Sequence, residues 1–101
     1  MVEKICLDKT KKPSYLREEN QNIIISHMSG INSVSEVGGI ILRMLNKGNS
    51  FSEIIHKITN EYDVKYDDVK YDIKDFINCI KDLEIISEEK AEQYFNELDI
   101  L

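Results

Sequence analysis

Two histidines, two cysteines and a scatter of serines and carboxylates are the side chains in these 101 residues from which a reactive centre would first be sought. Their spacing assembles none. His27 and His56 stand apart, and the chain has no HxxxH or HExxH motif. No ligand set with the usual metal spacing is therefore present. Cys6 and Cys79 are far apart and form no CxxC pair, so they read as free thiols of a reducing cytosol. Serine, histidine and aspartate all occur, but not in a nucleophile context such as GxSxG. Gly38-Gly39 is not GxGxxG and sits in no βαβ unit, which argues against nucleotide binding. The expectation is a non-enzyme with no catalytic residues, no metal and no cofactor.

What remains is recognition, and the helix expected from about Tyr66 to Leu83 carries most of it. With Lys70 as zero and 100° per residue, Val69, Ile73, Phe76, Ile80 and Leu83 fall between about 220° and 300° and form a core face. Lys70, Lys81 and Lys74 fall at about 0°, 20° and 40°, with Tyr66 and Ile77 near 320° and 340° between core and lysines. Asp68, Asp72, Asp75 and Asp82 hold the opposite flank. The plain account makes Tyr66 and Ile77 the edge of the core and the lysines a solvated face. The functional account makes this flank a groove wall that takes an apolar side chain beside a carboxylate, as a peptide would supply. An exposed sheet edge at Ile31 to Val34 would then pair with that peptide by strand addition.

The elements around this helix follow from periodicity. Residues 1–12 read as a loose arm or a leading strand, ended by Pro13. Tyr15 to Glu19, Ile23 to Met28 and Ile31 to Val34 read as three short strands, with turns at Asn20-Gln21-Asn22 and Ser29-Gly30. Ser35 caps a first helix carrying Val37, Ile40, Ile41, Met44 and Leu45 at helical spacing, and Gly48 ends it. Inside it Gly38 and Gly39 each cost about 1 kcal/mol of helix propensity, which points to a close backbone approach onto the sheet. Ser50-Phe51-Ser52-Glu53 is a capping box for a second helix with Phe51, Ile54, Ile55, Ile58 and Tyr62 as its stripe. Ser87 caps a last helix with Ala91, Tyr94, Phe95 and Leu98 on one side. That helix either packs back on the domain or docks a partner. The expected fold is thus α+β: a three-stranded antiparallel sheet, a three-helix bundle and a C-terminal helix.

Composition narrows the partners. The net charge is −6, and it is uneven. Residues 1–60 hold eight basic and six acidic side chains, whereas residues 61–101 hold five and thirteen. Nucleic-acid affinity rests mainly on Lys and Arg at phosphates, so nucleic acid is not the expected partner. No run of about 20 apolar residues would span a membrane, and no apolar stretch near the start reads as a secretory signal. A cytoplasmic location is expected.

One family matches this layout. The run Val34-Ser35-Glu36-Val37-Gly38, then Ile41-Leu42, Leu45, Gly48, Phe51, Glu53-Ile54, Tyr62, Val69, Asp72-Ile73, Phe76-Ile77, Leu83 and Ile85-Ile86 resembles the PqqD-like family. These are the pyrroloquinoline quinone biosynthesis chaperones, also called RiPP recognition elements. The resemblance covers about Tyr15 to Ile86 and implies a winged-helix-like domain over residues 13–86, between an arm at 1–12 and an extension at 87–101. It implies that the leader of a ribosomally made precursor peptide adds as a strand and is presented to a modifying enzyme such as a radical-SAM protein, a cyclase or a protease. Carried over by position, the peptide-binding residues are Ile31, Asn32, Ser33 and Val34 on the strand and Tyr66, Val69, Lys70, Ile73, Lys74 and Ile77 on the helix. The lysines would favour an acidic leader. Glu84 departs from the family's closing Gly-Leu-Ile, and the extension runs past its usual end. The rival reading is a winged-helix DNA-binding regulator, which five aspartates on the third helix weigh against. A monomer and a homodimer fit equally.

Overall fold

In the computed structural model, which describes residues 1–28 and 30–101, the sheet comes first in the chain and the helices cover one of its faces. Four strands, β1 (Val2–Ile5), β2 (Ser14–Glu19), β3 (Asn22–His27) and β4 (Gly30–Val34), lie in the order β1-β2-β3-β4, every pair antiparallel. Four helices follow: α1 (Glu36–Asn46), α2 (Phe51–Glu61), α3 (Tyr66–Asp82) and α4 (Glu88–Asp99).

The sheet has four strands, where three were expected. The extra strand is β1, which pairs Val2 with Arg17 and Ile5 with Ser14. Its sequence hides it, because only Ile5 reaches the core, at 1% exposure. Polar contacts hold the rest. Arg43 of α1 donates to Glu3 at 2.9 Å, and the Asn46 side chain donates to the Lys4 carbonyl and accepts from the Cys6 N–H, both at 2.9 Å. A strand fixed by a helix's polar edge leaves little apolar alternation to read.

The turns and caps follow local chemistry. Asn20 and Gln21 have φ of 51° and 67°, the two positive values that a two-residue hairpin of matching twist requires. Ser29 of the expected Ser29-Gly30 turn lies outside the described residues, and Gly30 itself opens β4. Ser35 accepts from the Gly38 N–H, and Ser50 and Glu53 close a reciprocal capping box. At the end of α1, Gly48 has φ of +86°, with Gly48 N–H donating to Leu45 and Asn49 N–H to Met44. That pair of bonds is a Schellman cap.

The core runs from Ile5, Leu16 and Ile25 on the sheet through Ile41 and Leu42 to Ile54, Ile55, Ile73, Ile77 and Ile80. The last helix completes it. Ala91, Tyr94 and Leu98 are buried, and the Tyr94 ring meets Phe51 edge-on at 5.3 Å. Burial raises the Tyr94 hydroxyl to about pKa 12, with the Glu97 and Asp8 charges adding to the effect. Asp8, in the β1–β2 loop, ties both ends together. It accepts from the Thr10 N–H and hydroxyl and from the Ser87 N–H at the start of α4. Burial alone would raise its pKa, but hydrogen bonds from Ser87 and Thr10 outweigh that and hold it far below the usual carboxylate range.

Candidate functional site

The sheet has two edges, and β4 is one of them. Its register shows which backbone groups it offers. His27 faces Gly30 across a two-residue connection, so that closing pair exchanges both backbone hydrogen bonds, and bonded pairs then alternate. Asn32 and Val34 therefore bond to Ile25 and Ile23, while the N–H and C=O groups of Ile31 and Ser33 point away from the sheet. The other side of β3 agrees with this phase. Counting from the Glu19 and Asn22 pair, Ile24 and Ser26 bond across to Arg17 and Tyr15. Ile31 and Ser33 thus offer an unsatisfied backbone edge, and the Ile31 side chain is 65% exposed.

Beside that edge runs a cleft of about 170 Å³ between β4 and α3. Asn32, Ser33 and Val34 form one wall, Phe76, Cys79 and Leu83 the other, and Ile25, Leu42 and Ile80 the floor. A glycine sets its shape. A Cβ on Gly38 would lie 2.8 Å from the Phe76 ring and 2.9 Å from Val34 Cγ1. The first turn of α1 can carry no side chain there if Phe76 is to lie against β4. The neighbouring Gly39 meets Ile23 of β3 in the same way, at 3.1 Å. This is the close approach onto the sheet that the glycine pair implied.

The residues expected from the sequence divide into two groups. Ile31, Asn32, Ser33 and Val34 lie on the open edge, three of them lining the cleft. The six expected from α3 do not line it. Val69, Ile73 and Ile77 are in the core at 3%, 0% and 0% exposure. Tyr66 is exposed at the start of α3. Lys70 and Lys74 face the end of α4: Lys74 Nζ pairs with Asp99 at 2.5 Å, and Lys70 Nζ donates to the Leu101 carbonyl at 3.3 Å. The hydrogen bond from Lys74 lowers the Asp99 pKa against the opposing effect of burial, and the Lys74 and Lys70 charges lower it further.

The helical wheel places the cleft-facing residues about 60° to 120° from the centre of the buried arc, on the side away from the lysines. Phe76 and Leu83 were assigned to the core by their position on the stripe. Nothing in the stripe itself separates them from buried positions, since an apolar arc of this width is ordinary for a core-facing helix. On this flank Asp68, Asp72, Asp75 and Asp82 are exposed. None of them is in an ion pair among the described residues.

A larger concavity of about 570 Å³ lies by α2, lined by Met44, Asn49, His56 and polar neighbours. It has no sheet edge beside it and no convergent reactive groups. Among the described residues no cluster of His, Cys, Asp or Glu is placed to hold a metal ion, and no helix is long and apolar enough to cross a membrane. The geometry provides a backbone edge with an apolar slot, which is equipment for holding an extended chain.

A family model described as coenzyme PQQ synthesis protein D (PqqD) matches residues 22–86. That span begins at β3 and ends just after α3, and so contains both walls of the cleft. Searches of curated proteins and of solved structures returned no match.

Proposed function

Because this chain belongs to the PqqD family, we propose that it is a non-catalytic chaperone that binds the leader of a ribosomally synthesised precursor peptide on the β4 edge and presents the rest to a modifying enzyme. The leader adds as an antiparallel strand. Its backbone bonds to Ile31 and Ser33, which supplies affinity independent of sequence. Leader residues opposite Asn32 and Val34 turn their side chains toward α3, where Phe76, Cys79 and Leu83 receive them. Residues two apart on a strand share a face, so selectivity comes from alternate leader positions. The single observation carrying this reading is the open β4 edge with an apolar cleft beside it.

In this reading the helix wall is Phe76, Cys79 and Leu83. Lys70 and Lys74 hold α4, and Val69, Ile73 and Ile77 support the wall from inside. The modifying enzyme, whether a radical-SAM protein, a cyclase or a protease, receives the core peptide beyond the leader. The chain acts in the cytoplasm, where precursor peptides are made.

The test is a titration of the isotopically labelled chain with the leader of a short precursor encoded beside its gene. Amide shifts should concentrate at Ile31, Ser33, Phe76, Cys79 and Leu83. Ser33→Pro removes an edge-facing N–H without touching the β3 ladder and should abolish binding while the fold persists. Asn32→Pro removes a ladder bond and should damage the fold itself. Shifts confined to other surfaces, or full affinity in a folded Ser33→Pro variant, would overturn the reading.

A further inference from the structure

We propose that the peptide accepted by this groove is basic: an extended segment with one apolar side chain seated between β4 and α3, and Lys or Arg on the same face reaching the aspartates of α3. The inference rests on strand addition at β4 and specifies the chemistry of the occupant.

Going round α3 from the buried arc toward β4, Phe76, Leu83, Asp72 and Cys79 come at about 240°, 220°, 200° and 180°. Asp75, Asp68 and Asp82 follow between about 160° and 120°. Asp72 borders a separate recess with Val37, Tyr62 and Val64, so the outer lip of the apolar slot, beside Cys79, is by helical spacing a short row of two carboxylates, Asp75 and Asp82. These have no cationic partner among the described residues. Three of the five lysines beyond residue 60 are engaged elsewhere: Lys70 and Lys74 by the end of α4, and Lys90 over the Tyr94 ring at 5.1 Å. Asp68 and Asp72 are four residues apart, and Asp72 and Asp75 three. Like charges at these spacings work against an isolated helix, so this flank of α3 carries a standing repulsion that a cationic ligand at its cleft end would reduce.

The strand geometry suits this. Side chains of an added strand that point toward α3 recur every second residue. An apolar anchor opposite Val34 or Asn32 places the next such side chain within reach of the lip. The long stem of Lys or Arg can lie over Phe76 or Leu83 with its charged end at the carboxylates. A leader Glu would meet the same row as a like charge.

A displayed library of random 12-residue peptides, selected against the full chain at low salt, tests this. Enriched peptides should carry an apolar residue with Lys or Arg two positions away. Their affinity should fall roughly three- to tenfold in Asp75→Asn/Asp82→Asn, the size expected of two exposed charge pairs, and the difference should shrink at high salt. Enrichment without a basic excess, or affinity unchanged in that double variant, overturns the charge assignment. Acidic enrichment sensitive to Lys81→Gln overturns it in favour of the lysine flank. In each of these cases, loss of binding in Ser33→Pro keeps the edge reading intact. A library that yields no peptide sensitive to Ser33→Pro overturns the edge reading and this inference with it.

Discussion

The two flanks of α3 have similar raw material and opposite fates. One carries Ile77, Lys70 and Lys74, and α4 closes over it, with Asp99 and the Leu101 carbonyl meeting the lysines, while Tyr66 stays exposed at its start. The other carries Phe76, Cys79 and Leu83, and faces the unpaired edge of β4 across a cleft. A helix wheel gives the angle of each residue, but not what lies opposite it. Only the packing of α4 decides which flank is sealed. The covered flank serves stability, and the uncovered one is where an extended chain has room.

Breaking the covered flank should have the largest effect. Leu98 is fully buried, so Leu98→Ala should cost about 2–5 kcal/mol in urea denaturation. Leu83 on the open flank is 37% exposed. Leu83→Ala should cost less than about 1 kcal/mol of stability, scaled to its partial burial, yet weaken peptide binding. Equal destabilisation by the two would erase the distinction between the flanks.

Next comes the shape of the cleft. Gly38→Ala must displace the Phe76 ring or Val34. Overpacking of about 1–3 kcal/mol exceeds the gain of about 1 kcal/mol from helix propensity. The variant should be less stable by thermal melt and should bind peptide poorly. A more stable variant would mean that Phe76 is not held against α1 as described.

Asp8 sharpens the comparison from the side of α4, because it anchors that helix through Ser87. Its folded pKa is depressed, with the bonds from Ser87 and Thr10 overcoming the effect of burial. Its contribution is therefore present above the unfolded value of about 3.9 and is lost as pH falls below it. Asp8→Asn should lower stability at neutral pH by about 1–3 kcal/mol and flatten the decline on acidification. An unchanged acid limb would show that another group governs it.

Two smaller changes complete the series. Glu84 stands at φ of 63° just after α3, where Glu84 N–H bonds to Lys81 and Ile85 N–H to Ile80. This is the same Schellman pattern that Gly48 forms after α1, but built on a residue with a Cβ. Glu84→Gly should stabilise by about 1 kcal/mol, since the left-handed cost is removed. Lys74→Gln should have the least effect on the denaturation midpoint, because its ion pair with Asp99 is exposed. It should leave peptide affinity unchanged, and a loss of affinity would return the binding role to the lysine flank.

How far the sequence reaches can be seen from these same residues. Apolar spacing places α1, α2 and α3 to within a residue or two, because each buries one face, and Ser35, Ser50 and Gly48 mark the ends of α1 and the start of α2; α3 has no side-chain cap at its start and is placed by its stripe alone. The edge at Ile31 to Val34 is legible too, as a short strand with no later strand to cover it. β1 escapes because one isoleucine and a set of polar bonds to Arg43 and Asn46 hold it. Phe76 and Leu83 escape as cleft residues because a partly covered position on a helix stripe looks the same as a buried one. Lys70 and Lys74 look available until Asp99 and Leu101, some 25 to 31 residues later, are brought against them.

Amide hydrogen exchange at Ile31 and Ser33, measured with and without bound leader peptide, tests the central claim most directly. The account predicts that both amides exchange freely in the isolated chain and become protected on binding, while those of Asn32 and Val34 are protected throughout. Protection appearing instead along the Lys70 and Lys74 flank of α3, with Ile31 and Ser33 still exchanging freely, would contradict it.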